Sequence, residues 1–326
     1  MPLSQKPIRS PFGAKSTASD VAKGFDLSGK TALVTGASSG LGIETARALA
    51  QCGVEVILPV RSRIKGEEAA VSIFATTGNR NVTVAEMDLA DWDSVRRFAS
   101  AFVKGGKPLD ILINNAGVMA TPERRIMGNV ESQFGTNHLG HFLLTGLLTP
   151  ALLKARRARV VSLTSLGHTL SPIDFDDPNF ERRPYDKWLA YGQSKTATSL
   201  FAVELNRRLE PKGITAFAVQ PGGIITNLQR DLSTEEIRAF GWVDENGKIQ
   251  DGFKTPEGGA ATSVWCATSP LLANGGGVYC EDCNIAAAVA ADSQELIGVR
   301  PWAIDRAAAA QLWSLSETLV GEPFAS

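Results

Sequence analysis

From residue 31 onward, short apolar runs alternate with stretches of helical period. The runs are residues 31–35 (TALVT), 54–60, 82–87, 109–113, 159–163 and 214–219, with a seventh beginning at Val278. Between them, Ile43, Ala46, Leu49 and Ala50 recur at helical spacing. Residues 67–74, 92–103, 130–154 and 188–209 read as further helices, the third of these long and amphipathic. Strands that are apolar at consecutive positions are buried on both faces, and their alternation with helices predicts a parallel sheet covered on each side. The expected architecture is α/β, a doubly wound parallel sheet of Rossmann type in three layers and a single domain. Residues 1–28 are polar and lack a period, so they are expected as an N-terminal arm, on the surface or partly disordered, ahead of a domain at 29–326. Residues 227–254 interrupt the alternation with mixed polar and aromatic side chains, and such an excursion is expected as a substrate loop.

Composition narrows the function classes. The chain has 326 residues, 44% hydrophobic and 21% charged, an ordinary soluble mixture. Its 33 basic and 34 acidic side chains give a net charge of -1, so no basic field exists to hold a nucleic acid or an anionic membrane. No run approaches the ~18 apolar residues of a membrane span, and the first 24 residues lack the apolar core of a secretory signal. The expected location is cytoplasmic. Four cysteines are too few for a disulfide framework. Cys280 and Cys283 form a CxxC, but Cys52 and Cys266 are far away in sequence and the pair does not open a helix early in a βα unit. All four are expected as structural thiols, buried or half-buried.

The first strand runs into Thr35-Gly36-Ala37-Ser38-Ser39-Gly40-Leu41-Gly42. Glycines that open a helix directly after a strand leave backbone N–H groups beside a helix N-terminus, a cradle for a pyrophosphate. Gly36 would allow the tight turn, Gly40 close approach to the ligand and Gly42 close packing. The spacing is TGxxxGxG rather than GxGxxG. NAD sites generally place an acid ~20 residues beyond the glycines, on the ribose 2′-hydroxyl. Here that place is Val60, followed by Arg61 and, two residues on, Arg63. A guanidinium fork suits a 2′-phosphate, which favours NADP over NAD.

Tyr191 and Lys195 stand four apart on a predicted helix and so share a face. A phenol near its ordinary pKa of ~10 is a poor proton shuttle at neutral pH. An ammonium ~4 Å away at an effective dielectric of ~20 contributes about 4 kcal/mol, roughly three pKa units, and, helped by the positive charge of an oxidised nicotinamide, would bring it into range. Ser165, just after the fifth strand, would hydrogen-bond the reacting oxygen.

With TGASSGLG at 35–42, Asp88-Leu89, Asn114-Asn115-Ala116-Gly117, Asn137, Ser165, Tyr191-x-x-x-Lys195 and Pro221-Gly222, the chain resembles the short-chain dehydrogenase/reductase family from Lys30 to at least Tyr279. TNHLGHFLLT (136–145), VVSLTSLGH (160–168), YGQSKTATSLFAVEL (191–205) and the 26-residue interval from Ser165 to Tyr191 resemble its branch of retinol-dehydrogenase-like, WW-domain-oxidoreductase-like and protochlorophyllide-reductase-like enzymes. The resemblance implies hydride transfer between NADP and a carbonyl or alcohol carbon. Tyr191 would be the acid/base, Lys195 its tuner, Ser165 the oxygen's anchor and Asn137 the holder of a water that relays protons. It places Gly36, Ser38, Ser39, Gly40 and Leu41 on the phosphates and Asn115, Ala116 and Gly117 on the adenosine side, and counts Tyr191 and Lys195 among the residues that also touch the cofactor. It puts Asp88 and Leu89 at the adenine, and the segment Pro221, Gly222, Ile224 and Thr226 at the nicotinamide carboxamide. Reduction of a C=C bond, as in the protochlorophyllide reductases, and a dinucleotide-sensing regulatory role without turnover are the alternatives. A sugar-nucleotide epimerase would want TGxxGxxG and a larger C-terminal domain.

The histidines His138 and His141 are expected to pack or cap rather than bind metal, having no third ligand at a fitting interval. His168, three residues past Ser165, is a candidate for the substrate pocket. Leu166, Met119, Trp188 and Trp242 are expected to line an apolar pocket for a small hydrophobic substrate. Such enzymes commonly dimerise through the helices here at 130–154 and 188–209, which leaves room for a homodimer.

Overall fold

Alternate residues of each central strand enter different cores, which is why the strand runs are apolar without alternation. In β1 (Thr31–Val34) Leu33 packs on one side, Ala32 and Val34 on the other. In β8 (Ile214–Gln220), Ala216 and Ala218 face the first core and Phe217 and Val219 the second. The computed structural model describes residues 4–324. After α1 (Ala18–Ala22) and β1 come α2 (Gly40–Gln51), β2 (Glu55–Val60), α3 (Arg63–Thr77), β3 (Val82–Glu86), α4 (Trp92–Lys104) and β4 (Ile111–Asn114). A short hairpin of β5 (Arg125–Ile126) and β6 (Val130–Glu131) then leads through α5 (Ser132–Phe134) into α6 (Gly140–Lys154), β7 (Ala158–Leu163), α7 (Lys187–Leu209) and β8. The chain ends with α8 (Thr234–Ala239), α9 (Pro256–Thr268), β9 (Val278–Glu281), β10 (Asn284–Ile285) and α10 (Arg306–Val320).

The main sheet runs β10-β9-β8-β7-β4-β1-β2-β3, parallel except for β10. Strand order reverses between β1 and β4, and ligands of such sheets bind at the carboxyl ends beside that switch point. Helices α1, α2, α3 and α9 cover one face, and α4, α6, α7 and α10 the other. The expected doubly wound sheet is therefore what forms.

Three expectations change. Residues 4–28 are not a loose arm: Ala18, Val21 and Ala22 are buried, and Ile8, Phe12, Phe25 and Leu27 pack against the core. The Gln5 amide donates to the carbonyls of Tyr279 (2.9 Å) and Ala286 (2.7 Å). The few apolar side chains in this polar stretch are the ones that pack. Second, residues 130–154 are not one amphipathic helix but β6, α5, a π-helical turn at Gly135–Leu139 and α6. Helix α6 is apolar on nearly every side because sheet, α4 and α10 surround it.

Third, α6 and α7, the helices expected at a homodimer seam, carry α10 and the following residues on one side. Trp313 of α10 and the following Phe324 lie against Phe142 (both 5.1 Å between ring centroids) and Phe201 (6.1 and 6.5 Å). Residues 190–206 of α7 are all buried.

Candidate functional site

Two local devices shape the phosphate turn. Gly36 adopts φ +67°, and a Cβ there would lie 2.8 Å from the Ala116 Cβ, so any other residue would be both strained and blocked. Ser39 caps α2 in extended geometry without a side-chain bond, leaving the first-turn N–H groups to a ligand. Gly40 has φ +58°, and a Cβ there would lie 3.5 Å from the Thr226 side chain, while Gly42 lies against Asn115. Ser38 is half-buried and Ser39 exposed. Thr35, which the sequence does not single out, joins this turn to the next strand end. Its hydroxyl accepts from the N–H groups of Asn115 (2.9 Å) and Ala116 (3.0 Å), and its carbonyl accepts from the Asn115 amide (2.7 Å).

Arg61 directly follows the last residue of β2, where the Pro59 carbonyl accepts from Gly36 N–H at 3.3 Å. Its side chain is exposed and pairs with no acid among the described residues. Arg63 is used differently, in a surface pair with Glu67 at 2.8 Å. Asp88 is half-buried after β3, its carboxylate accepting from Ala90 N–H (3.0 Å), and Leu89 is buried beside Gly140. The loop containing Pro221 and Gly222 returns to the glycine turn: Ile224 and Leu41 both crowd Gly259 of α9. The Lys254 and Phe253 side chains close over Gly222 and Gly223, a contact that sequence spacing gives no means of foreseeing.

Ser165, Tyr191 and Lys195 converge at the carboxyl ends of the strands. Ser165 caps the turn at Leu166–Leu170, its Oγ accepting from Gly167 N–H at 3.0 Å. The Tyr191 ring passes so close to Gly167 that a Cβ there would lie 2.6 Å from the ring. Asp186 caps α7, accepting from Trp188 and Leu189 N–H groups (2.8 and 2.9 Å), and so fixes where Tyr191 and Lys195 stand on their helix. Lys195 Nζ donates to the Leu163 carbonyl at 2.9 Å and lies 5.7 Å from the Tyr191 ring centroid. Asn137 binds Val118 through both its amide and its carbonyl oxygen and donates to Ser194 Oγ at 2.9 Å. Across Gly117 it faces Lys195.

Burial sets the electrostatics. It pushes the Tyr191 phenol up to about 12, with Ser165 pulling the other way, and pushes Lys195 down to about 8. Among the protein's own groups desolvation outweighs the pull of the Lys195 ammonium over the Tyr191 ring, and the further pull expected from an oxidised nicotinamide comes only with the cofactor.

Met119, Ala120 and Tyr191 form a small apolar cluster with Trp188, Leu228, Leu232 and Trp242. Phe240 and Trp242 lie 4.9 and 6.2 Å from Trp188, edge to face. Three of the four expected pocket residues therefore meet, while Leu166 sits on the turn after Ser165. An ion pair between Lys187 and Glu236, and one of 3.6 Å between Arg124 and Asp231, tie the 227–254 excursion to the body.

His168 does not open onto this cluster. It is fully buried and bonded to Ser165, Tyr279 and the backbone of Arg300. His138 bonds Ser316 and His141 bonds Thr35, and burial pushes them down to about 3 and about 4, so both are neutral packing groups. The four cysteines are free and buried, and no metal-holding cluster occurs among the described residues. No helix among them is long and apolar enough to cross a membrane.

Comparison with known proteins shows the family. The short chain dehydrogenase family profile matches residues 30–237. A probable oxidoreductase of Streptomyces antibioticus is 47% identical over 292 residues, covering 89% of this chain and 97% of that protein. Retinol dehydrogenase 11 of Mus musculus is 42% identical over 276 residues, covering 85% of each. The crystal structure of an uncharacterized protein from Mycobacterium paratuberculosis superposes with a TM-score of 0.72 at 37% identity, over 95% of this chain and 99% of that one. The chain belongs to the short-chain dehydrogenase/reductase family, in its retinol-dehydrogenase-like branch.

Proposed function

We propose that the protein is an NADP-dependent oxidoreductase that moves hydride between the nicotinamide and a carbonyl or alcohol carbon of a small hydrophobic molecule. The observation that carries this reading is the meeting of Ser165, Tyr191 and Lys195 beneath the Met119–Trp188–Trp242 cluster, beside the glycine turn. The turn at 36–41, Asn115 to Gly117, Asp88 and Leu89 would hold the cofactor's adenosine and phosphates, and Pro221 to Thr226 its carboxamide end. Bound NADPH supplies the hydride, and its oxidised form a positive charge near the phenol.

Tyr191 donates its hydroxyl proton to the carbonyl oxygen as that oxygen gains charge, and Ser165 Oγ holds the oxygen in place. Lys195, as an ammonium, stabilises the phenolate left behind. Asn137, facing Lys195 across Gly117, keeps the role of relay to solvent through a water. The aromatic cluster excludes water and offers a flat apolar wall, which supports a hydrophobic substrate.

Arg61 supports NADP as the preferred cofactor. Reversing its charge in Arg61→Asp is expected to weaken NADPH binding by about 10- to 100-fold, the range of charge-assisted hydrogen bonds. NADH binding should change by only a few fold. Fluorescence titration of both nucleotides measures this, and a wild type that binds NADH more tightly than NADPH would remove the preference. Loss of NADPH absorbance against a panel of hydrophobic ketones and aldehydes tests the reaction class.

The covering of α6 and α7 by α10 makes a monomer the expected form. Sedimentation equilibrium at micromolar concentration checks this, and a stable dimer would show that α10 moves aside or that another face is used.

A further inference from the structure

We propose that His168 and Tyr279 are positioning residues for Ser165, holding its backbone carbonyl so that its hydroxyl stays aimed at Tyr191. The inference rests on the role proposed above for Ser165. Three donors converge on that one carbonyl oxygen: His168 N–H (3.1 Å), the His168 ring Nδ1 (2.9 Å) and the Tyr279 hydroxyl (3.3 Å). The ring's other nitrogen, Nε2, accepts from Arg300 N–H at 3.1 Å. A nitrogen that accepts carries no proton, so the hydrogen of the neutral ring sits on Nδ1, facing Ser165. Burial pushes His168 down to about 4, which keeps the ring neutral at physiological pH.

Both side chains are fully buried, and each is held from behind by a different part of the chain. Gln5, from the N-terminal segment, brackets the Tyr279 backbone, donating to its carbonyl and accepting from its N–H, both at 2.9 Å. Trp302 Nε1 donates to the His168 carbonyl at 2.9 Å, and so does Thr196, the neighbour of Lys195, at 3.2 Å. The N-terminal segment, the stretch before α10 and helix α7 thus brace the two residues that hold the Ser165 carbonyl. Polar groups buried for packing alone could be replaced by apolar ones of like shape without loss. Here their hydrogens point at one backbone atom of one functional residue. On the far side, Gly167 N–H holds Ser165 Oγ itself. A displacement of about 1 Å at such a group costs up to about 100-fold in rate.

Tyr279→Phe removes one oxygen atom and is the cleanest test. With the best carbonyl substrate found for the wild type, kcat should fall about tenfold, while KM and the NADPH Kd stay within about twofold. His168→Asn returns an N–H near the place of Nδ1, and His168→Leu does not, so the Asn variant should retain several-fold more kcat. Circular dichroism and NADPH titration establish that each variant folds. An unchanged kcat in Tyr279→Phe would overturn the proposal, as would folded His168→Asn no more active than folded His168→Leu. If the wild type reduces no carbonyl, it is the role of Ser165 that fails. The crystal structure of Tyr279→Phe then decides the positioning separately, because a Ser165 Oγ left unmoved would refute it.

Discussion

Tyr191→Phe is expected to lower kcat by two to four orders of magnitude, the usual contribution of a general acid, while leaving the fold and NADPH binding intact. The ring lies in a slot lined by Gly167, Met119 and Ala120, which phenylalanine fills equally well. Only the hydroxyl facing Ser165 is lost, so Tm should move by no more than a few degrees. Direction of reaction separates this role from general disruption. Carbonyl reduction needs the neutral phenol and should hold as pH rises until the phenol ionises. Alcohol oxidation needs the phenolate and should rise over the same interval. In the protein alone burial puts that ionisation up at about 12, and the charge of the oxidised nicotinamide is expected to bring it down in the complex used for oxidation. Steady-state rates in both directions across pH 6 to 10 measure this. Turnover by Tyr191→Phe at the wild-type rate would place the acid elsewhere.

The parts of this molecule that were legible from its residues are those in which one local pattern has one physical cause. The mostly apolar runs at 31–35, 109–113 and 159–163, alternating with helical stretches, pointed to strands buried on both faces, and strands form there. A Gly-rich turn after the first of them had to open a helix, and Tyr191 and Lys195 four apart had to share a face. The aromatic cluster was partly legible, since Trp188 and Trp242 stand out in otherwise polar stretches. What escaped depends on residues far apart in the chain. Gln5 and Tyr279 lie 274 positions apart, His168 and Arg300 132, and no periodicity links them. His168 was a candidate for the pocket because it follows Ser165 closely, but its ring packs against Tyr279 in the interior. Helices α9 and α10 lacked a readable stripe because α9 is buried on nearly all sides and α10 is rich in alanine. The packing of α10 on α6 and α7 was not legible either, because α10 lies far beyond them in the chain.

Lys195→Met should abolish turnover and at the same time raise Tm. The lysine is buried, and its pKa is pushed from 10.5 down to about 8. At about 1.4 kcal/mol per pKa unit this corresponds to a cost on the order of 3 kcal/mol for keeping the ammonium in the folded protein. Methionine has a similar shape and no charge to desolvate, though it gives up the ammonium's hydrogen bond to the Leu163 carbonyl, worth about 2 kcal/mol for a charged donor. The net gain is on the order of 1 kcal/mol, a degree or two for a chain of this size. The sign of its pH dependence is fixed. Below about pH 8 the lysine is charged in both folded and unfolded chains, so the cost is fully present. Between about 8 and 10.5 the folded protein releases the proton first, and the cost is relieved. The difference in Tm between variant and wild type should therefore be widest near neutrality and shrink toward pH 10. Calorimetry of both proteins at several pH values reads this directly. A variant less stable than wild type at pH 7, or a gap that grows with pH, would mean that Lys195 is held by attraction rather than kept for its charge. Stability surrendered at one buried cation is what a site needs if its phenolate is to have a partner, and the same substitution should expose both sides of that exchange.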